Sequence, residues 1–414
     1  SADSGLPLGP LPVLGLGGGN PGQRRLRAGQ LGYDLSRSDS PPGGRRIKPW
    51  PLDFAQSPFL LVKSIAMHLL DAMTREGFEE VIAWHDRDSG VRGWIAIHDS
   101  TAGPAFGGIR RFSYRTEAEA MMDCLRLSRA MTDKCRLANL PAGGGKVVLL
   151  DEPNVDWDRA YAALGRKVES MGGRFYTGPD VGTGEQELSS LVAETRFATD
   201  PGPEGPGELG ASTAEGVFRG MQAALLHLDG KLDWPSQKVV VQGLGAVGRQ
   251  LAKRLVEQGA QVVGSDVDTD RMDTVMEELG IEGLDSTEVL HYPCDVLAPC
   301  AMGGLIHDLT LERLKVRVIA GGANNVLART LHGDRLHNLG ILYVPDFVIN
   351  CGALIRGTVF HLEARREPVS AIGERVANMV SEVLEEAAKL DSAPTRVARR
   401  LARQRLQDLR DSKR

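Results

Sequence analysis

The segment with the most unusual chemistry is Leu140-Pro-Ala-Gly143-Gly144-Gly145-Lys146, in which three glycines precede a lysine. Glycines let a backbone approach another group closely, and a lysine that leaves them into an apolar cleft is desolvated, which lowers its pKa toward that of a general base. A phosphate-binding loop is excluded, because Lys146 is followed by Val147 and Leu140 stands where that motif has its first glycine. The spacing alone leaves two hypotheses for Lys146, a general base and a solvated loop lysine, and it favours the second.

A second segment has the form of a dinucleotide-binding loop. Its residues Gly243-Leu-Gly245-Ala246-Val247-Gly248 follow the apolar run at 238–242 and open an amphipathic helical pattern. The three glycines suit a tight turn, a close approach of backbone to a pyrophosphate, and close packing of helix on strand. Asp266 ends the next predicted strand, where a carboxylate accepts from both ribose hydroxyls of NAD and repels the 2′-phosphate of NADP. The segment therefore predicts an NAD site.

Strands and helices alternate around these two segments. In the first half, strands are predicted at 80–84, 91–98 and 147–150, and helices at 59–75, 117–137 and 157–171, the middle helix opened by the capping box Thr116 to Glu119. In the second half, helices are predicted at 213–228, from 248 to 258, at 369–389 and after Pro394, and strands at 238–242 and 261–265. The order predicts an α/β fold with two domains flanking a cleft.

The segment 199–210 is rich in proline and glycine and marks the predicted domain boundary. We therefore predict a Gly/Pro-rich tail at 1–55, a substrate-binding and oligomerisation domain at 56–198, a Rossmann dinucleotide-binding domain at 199–350, and C-terminal helices at 351–414 that return across the hinge.

Composition restricts the function classes. The chain has 49 basic and 54 acidic residues, a formal charge of -5, and no long block of one sign, so nucleic acid and anionic membranes are not predicted partners. The five cysteines form no zinc-like pair, which predicts reduced thiols, no metal and a cytoplasmic location. An apolar run of about eighteen residues, as a membrane-spanning helix needs, is not found. A small-molecule substrate is the remaining expectation.

The sequence resembles the leucine, phenylalanine and valine dehydrogenases and the related glutamate dehydrogenases. The resemblance covers roughly residues 78–354 and rests on eight motifs in the same order. They are Gly103-Pro-Ala-Phe-Gly-Gly-Ile-Arg110, Met131-Thr-Asp-Lys134, Leu140-Pro-Ala-Gly-Gly-Gly-Lys146, Pro179-Asp-Val-Gly-Thr183, Gly243-Leu-Gly-Ala-Val-Gly248, Cys294-Asp-Val-Leu-Ala-Pro-Cys300, Ala323-Asn-Asn325 and Pro345-Asp-Phe-Val-Ile-Asn350.

The resemblance implies a division of labour among the polar residues. Lys134 is expected to bind the substrate carboxylate, and Lys146 to act as the general base that activates a water. Asp180 is expected to accept from the substrate amine and to share protons with Lys146. The backbones of Gly107 and Gly108 are expected to line the substrate cleft.

The resemblance also places several residues near the cofactor and the substrate amine. Ala298, Asn324 and Asn350 are expected at the cofactor and Asn325 at the substrate. For the asparagines, a structural role in satisfying buried backbone groups is an equally strong hypothesis, because buried amides usually bond to backbone.

The side chain of the substrate is predicted to be apolar. Phe106 stands where glutamate dehydrogenases place a lysine that holds a second carboxylate, and an aromatic ring there would leave such a carboxylate unpaired. Leu354 falls where the family lines its side-chain pocket, and Gly357 leaves room for a larger group. The order of preference among leucine, valine and phenylalanine stays open, because one methylene changes binding by only about 1–3 kcal/mol.

We therefore predict an NAD-dependent L-amino-acid dehydrogenase that converts an apolar amino acid to its 2-oxo acid and ammonia, as a homo-oligomer. Arg111 and Asp133 depart from the family pattern, and Asp133 lies beside the lysine that binds carboxylate. These departures keep two alternatives open, an NAD-binding regulatory homologue without turnover and a glutamate-type dehydrogenase.

Overall fold

The computed structural model describes residues 69–301 and 303–413, which form two β-sheets with surrounding helices. The predicted tail at 1–55 and the first part of the helix predicted at 59–75 lie outside the described residues. Residues 69–76 are helical, in agreement with the last part of that prediction. The predicted α/β class with two domains is confirmed.

The first sheet is mixed and has the strand order β1-β2-β4-β3-β5. β2 runs antiparallel to β1 and β4, whereas β3 runs parallel to β4 and β5. Its strands are β1 Glu80–His85, β2 Arg92–Asp99, β3 Ala105–Phe112, β4 Gly143–Leu150 and β5 Phe175–Pro179, and its helices are α1 Glu117–Leu137, α2 Trp157–Ser170 and α3 Glu185–Val192.

Helix α1 begins and ends where the sequence predicts. The Thr116 hydroxyl accepts a hydrogen bond from the Glu119 N–H at 3.1 Å, which satisfies one free donor of the first turn. Cys124 and Leu125 are buried on one side of the helix and pack with Val148 of β4. This packing fixes α1, which carries Lys134 in its last turn, against the centre of the first sheet.

Strand β4 begins four residues earlier than predicted, and Lys146 is therefore part of a strand rather than of a loop. The predicted start at 147 was wrong because glycines carry no hydrophobic pattern, whereas β4 lies between β2 and β3 and pairs with β2 at Gly144 and Gly145 and with β3 at Gly143 and Gly144. The hypothesis of a solvated loop lysine is wrong for the same reason, since Lys146 is 5% exposed.

The second sheet is parallel and has the strand order β11-β10-β9-β6-β7-β8. Its strands are β6 Lys238–Gln242, β7 Gln261–Ser265, β8 Glu282–Gly283, β9 Cys294–Pro299, β10 Val316–Ile319 and β11 Leu342–Tyr343. The helices of this half are α4 Leu209–Asp229, α5 Gly248–Glu257, α6 Thr269–Leu279, α7 Asp308–Leu311, α8 Leu331–Asn338 and α9 Asp346–Ile349. The β6-α5-β7 unit is the predicted dinucleotide-binding unit.

Three helices end the chain: α10 Gly352–Glu363, α11 Val369–Lys389 and α12 Pro394–Ser412. Helix α11 packs closely on α4, where Gly216 leaves room for Val376. Helix α12 reaches the first sheet, because Arg405 donates to the Leu137 carbonyl at 2.8 Å and Arg410 pairs with buried Asp99 at 2.6 Å. The C-terminal helices therefore connect both halves. Within the described residues, no helix is both long and apolar enough to cross a membrane.

The close pairing of β3 and β4 depends on Gly107. A Cβ atom at this position would lie 1.7 Å from the Gly145 carbonyl oxygen, so a Gly107→Ala protein has to separate the two strands that carry the cleft residues. We expect the free energy of unfolding to fall by about 3 kcal/mol or more, measured by urea denaturation. Gly357→Ala is the control, because its Cβ would meet no atom of the described part of the chain within 4 Å, and alanine in a helix interior is more stable than glycine by up to about 1 kcal/mol. A Gly107→Ala protein as stable as Gly357→Ala would contradict this account.

Candidate active site

A cavity of about 940 Å³ lies between the two halves and brings most of the predicted site residues together. The first half contributes β3, β4, the end of β5 and one face of α1, and the second half contributes the glycine loop and the segments after β10 and β11. The predicted residues on its wall are Phe106, Gly107, Gly108, Lys134, Lys146, Asp180, Val247, Asn324, Asn325, Asn350 and Leu354.

Lys146 and Asp180 form a buried ion pair at the base of this cavity. The lysine comes from β4 and the aspartate follows β5, and Nζ lies 2.7 Å from the Asp180 Oδ2. Their side chains are 6% and 12% exposed. Burial lowers the pKa of Lys146 below that of an ordinary lysine, although the Asp180 charge opposes the effect. The pair can therefore release and regain a proton within the cleft.

Arg110 is a third member of this site that the sequence analysis did not single out. Its Nε lies 3.0 Å from the Asp180 Oδ2, and its Nη1 lies 2.9 Å from the Asp123 Oδ2. Burial alone would raise the pKa of Asp180, but the charges of Lys146 and Arg110 outweigh it and hold that pKa below the usual range. The available signal was strand alternation, because Phe106, Gly108 and Arg110 share one face of β3.

Lys134 reaches across the cavity from α1. Its Nζ donates to the Asn324 Oδ1 at 3.2 Å, and the Asn350 Nδ2 donates to the same oxygen at 2.9 Å. Asn350 also donates to the carbonyls of Gly322 and Ala323, each at 3.2 Å. Its Oδ1 is buried and accepts no hydrogen bond from the described residues. The amide nitrogen of Asn350 therefore has a structural role, whereas its amide oxygen is available to accept a hydrogen bond from a ligand.

Asn325 forms a second connection between the two walls. Its Oδ1 accepts a hydrogen bond from the Arg126 Nη1 at 2.7 Å, and its backbone N–H donates to the Asp346 carboxylate. The residue has a φ of +55°, a left-handed conformation that asparagine tolerates better than most residues. The turn at Asn325 therefore directs the amide toward α1.

The end of the cavity near Phe106 is aromatic and apolar. The ring of Phe106 stacks on Tyr176 with centroids 4.8 Å apart, and His361 lies 5.1 Å from Tyr176. Burial lowers the pKa of His361 to about 4, so this imidazole is neutral at physiological pH. Leu354 and Gly357 complete the wall. A substrate side chain placed here meets rings and hydrocarbon.

The glycine loop has the shape that a bound dinucleotide requires. Gly243 turns with a φ of +90°, and a Cβ atom at Gly245 would meet no atom of the described residues within 4 Å, so space is open above the loop. Asp266 accepts hydrogen bonds from the Leu244 N–H at 2.7 Å and the Asp268 N–H at 3.0 Å, which fixes its carboxylate beside the loop. These residues fit a dinucleotide with its pyrophosphate at the start of α5.

Ala298 lies close to the glycine loop but in the interior of the second sheet. It is fully buried in β9, where it pairs with Val241 of β6. Its side chain contributes to the core of the second sheet rather than to the wall of the cavity.

The two departures from the family pattern have different surroundings. Arg111 pairs with Glu187 at 3.2 Å and lies 4.6 Å over the ring of Trp157, away from the cavity. Burial raises the pKa of Asp133 to about 6, against the opposing charges of Arg129 and two arginines of α12. Asp133 therefore faces arginines, although it directly precedes Lys134 in the chain.

The fold and this site define a class of protein. A buried lysine and aspartate on one α/β half face a glycine-rich loop on a second, parallel half, which is the arrangement of a nicotinamide-dinucleotide-dependent dehydrogenase.

Comparison with known proteins identifies the family. A model described as the dimerisation domain of Glu/Leu/Phe/Val dehydrogenases matches residues 79–197, and a model described as Glutamate/Leucine/Phenylalanine/Valine dehydrogenase matches residues 268–410. The chain belongs to the Glu/Leu/Phe/Val dehydrogenase family and is an amino-acid dehydrogenase. The resemblance seen in the motifs is therefore confirmed.

Similar proteins match this chain over most of their own length. Leucine dehydrogenase of Geobacillus stearothermophilus is 38% identical over 84% of this chain and 95% of its own length. Phenylalanine dehydrogenase of Bacillus thermotolerans is 39% identical over 79% of this chain and 88% of its own length. The crystal structure of L-tryptophan dehydrogenase from Nostoc punctiforme has a TM-score of 0.71 and 35% identity over 83% of this chain and 99% of its own.

Replacement of Asp180 tests how the buried pair works. The carboxylate raises the pKa of Lys146 by its charge, so an Asp180→Asn protein should hold that pKa lower still and its activity should fall off at a lower pH than in the wild type. Because the proton partner is lost, maximal turnover should fall by about 100-fold or more. The pH profile of kcat measures both effects. Asp151→Asn, a half-exposed carboxylate in the same half, should change neither, and an unshifted Asp180→Asn profile would contradict the coupling.

Proposed function

We propose that the protein catalyses the NAD-dependent, reversible oxidative deamination of an apolar L-amino acid to the 2-oxo acid, NADH and ammonia. The observation that carries the proposal is the buried Lys146–Asp180 pair, which faces the glycine loop across the cavity. A desolvated lysine beside a carboxylate is the group that water activation at neutral pH requires.

The substrate is held by charges on the first half. Lys134 binds its carboxylate as a point charge, with the Asn324 amide as its neighbour. Asp180 accepts from the substrate amine, and the backbones of Gly107 and Gly108 form the wall beside it. Asn325 stands on the opposite wall as a further polar contact for the substrate.

Bound NAD supplies the acceptor for the hydride that leaves Cα. The resulting substrate imine is attacked by a water, and neutral Lys146 removes the proton from that water. Asp180 hydrogen-bonds the lysine and moves the proton on to the leaving amine, which departs as ammonia. Closure of the cleft excludes bulk water from this sequence.

The proposal of an apolar substrate is supported by the pocket at Phe106. A second carboxylate placed against the rings of Phe106 and Tyr176 would lose its hydration without gaining a cation, which is costly. Relatives at 36–39% identity act on leucine and phenylalanine by name, and a solved relative acts on tryptophan.

The proposed cofactor site consists of Gly243, Gly245, Ala246, Val247 and Gly248 around the pyrophosphate, with Asn324 and Asn350 toward the nicotinamide. Asp266 supports NAD over NADP, because a carboxylate held beside the glycine loop would repel a 2′-phosphate.

The predicted domain limits, the homo-oligomer and the cytoplasmic location belong to the same proposal. The substrate domain at 56–198 is proposed as the oligomerisation surface, and the description of its matching family model as a dimerisation domain supports this. A hetero-hexameric glutamate dehydrogenase from Thermus thermophilus, 21% identical, shares the fold with a TM-score of 0.67.

A panel of L-amino acids with NAD at alkaline pH tests the proposal, with absorbance of NADH as the measurement. We expect turnover of apolar amino acids, and a loss of at least about 100-fold in a Lys146→Ala protein that still binds NAD. Lys231→Ala, an exposed lysine of the second half, is the matched control. Absence of NADH with every apolar amino acid would reject the enzyme, turnover confined to glutamate would reject the substrate class, and an active Lys146→Ala protein would reject the base.

A further inference from the structure

A continuous chain of ion pairs runs from Lys146 to the mouth of the cleft. Asp180 joins Lys146 to Arg110, and Arg110 joins Asp180 to Asp123 of α1. Arg126 then lies one helical turn from Asp123, with its Nη2 at 2.5 Å from the Asp123 Oδ1. Positive and negative groups alternate at every step of this chain.

Arg126 is also the member that crosses the cleft. Its Nη1 donates to the Asn325 Oδ1 at 2.7 Å, and Asn325 is held from the other side by Asp346. One guanidinium therefore binds a carboxylate of the first half and an amide of the second with separate nitrogens. The planar fork of arginine suits this double contact, which a lysine cannot reproduce.

The pairing of Arg126 with Asp123 is more than an ordinary ion pair on a helix surface. An exposed Arg–Asp pair three residues apart contributes little to stability. Here the Asp123 side chain is only 14% exposed and also accepts from Arg110 and from the Tyr114 hydroxyl at 2.7 Å. The carboxylate thus serves two arginines at once, one beside the catalytic pair and one beside the opposite wall.

We infer that Arg126 is a positioning residue that couples closure of the cleft to the charge of the catalytic pair. The inference rests on the proposed function, since it assigns a role within the same reaction. When the cleft closes, the hydrogen bond to Asn325 holds Arg126 in position. Arg126 then holds Asp123, and Asp123 keeps Arg110 in place beside Asp180. When the cleft opens, the positive end of the chain is released into solvent.

The charges predict the direction of the effect on Lys146. The groups that face Lys146 are Asp180 after β5, Arg110 of β3, and Lys134 and the Cys124 thiol of α1. The groups that face Asp123 are Arg110, Arg126 and Tyr114. Loss of one positive charge from this set makes the potential at Lys146 more negative, so the lysine binds its proton more tightly. The acid limb of the pH profile must then move to higher pH.

Three variants separate the effect of the Arg126 charge from the effect of its hydrogen bond across the cleft to Asn325. Arg126→Gln removes the charge, so the acid limb of kcat/KM should move up by about half a pH unit at low salt and by less at high salt. Arg126→Lys keeps the charge but not the fork, and Asn325→Ala removes the acceptor. Arg126→Lys should lower kcat/KM about fivefold, as for one lost hydrogen bond, with the pH profile unmoved. Asn325→Ala should lower kcat/KM by at least as much, because it also removes the proposed substrate contact, again with the pH profile unmoved.

Arg174→Ala is the matched control, because Arg174 lies in the same half, is 59% exposed against 55% for Arg126, and among the described residues forms an ion pair only with Glu80 on the outer strand. It should leave kcat/KM and the pH profile unchanged. Thermal melting and NAD binding by fluorescence should be the same in both Arg126 variants and in Arg174→Ala, whereas Asn325→Ala should melt at a lower temperature, because alanine takes the left-handed φ of this position less readily. The inference would be overturned if the pH profile of Arg126→Gln did not move, or if the profile of Arg126→Lys moved by the same amount. In either case, turnover by the wild type would still support the proposed function.

Discussion

The rest of the structure depends on two opposite charges that are buried side by side, those of Lys146 and Asp180. Burying an ion pair costs more than its own attraction returns unless further hydrogen bonds satisfy both partners. Arg110 supplies such a bond to Asp180, and Asp123 in turn neutralises Arg110. Because these groups come from β3, β4, α1 and the segment after β5, the mixed first sheet and its helix serve to hold one charge network in a poorly hydrated cleft.

The second half of the molecule adds to this charge network through hydrogen bonds across the cleft. Lys134 and Arg126 on α1 bond to Asn324 and Asn325, and helix α12 holds the last turn of α1 through Arg405. Polar contacts between two walls form and break at low cost in water, unlike apolar packing within a core. The same contacts can therefore close the cleft around a substrate and release a product, while the packing of α11 on α4 keeps the second half unchanged.

Membership of the family and the identity of the substrate rest on different parts of the molecule. In the proposed reaction, the charged residues act at Cα, which every amino acid shares, and Lys134, Lys146 and Asp180 lie in the motifs that carry the family resemblance. The aromatic stack of Phe106 on Tyr176 is proposed to contact the side chain of the substrate. Substrate choice can change there without disturbing the ion pairs, which explains how relatives named for leucine, phenylalanine and tryptophan share one fold.

The sequence by itself determined the α/β class, the limits of α1, β6, β7 and α11, and the family, because helical periodicity, caps and ordered motifs are local properties of the chain. It did not determine where β4 begins, because glycines carry no pattern and only pairing with β2 and β3 makes Gly143 to Gly145 a strand. The tertiary structure also decided the environment of Lys146. A solvated lysine and a buried one have the same neighbours in sequence, and only Asp180 and Arg110, brought from distant positions in the chain, distinguish them.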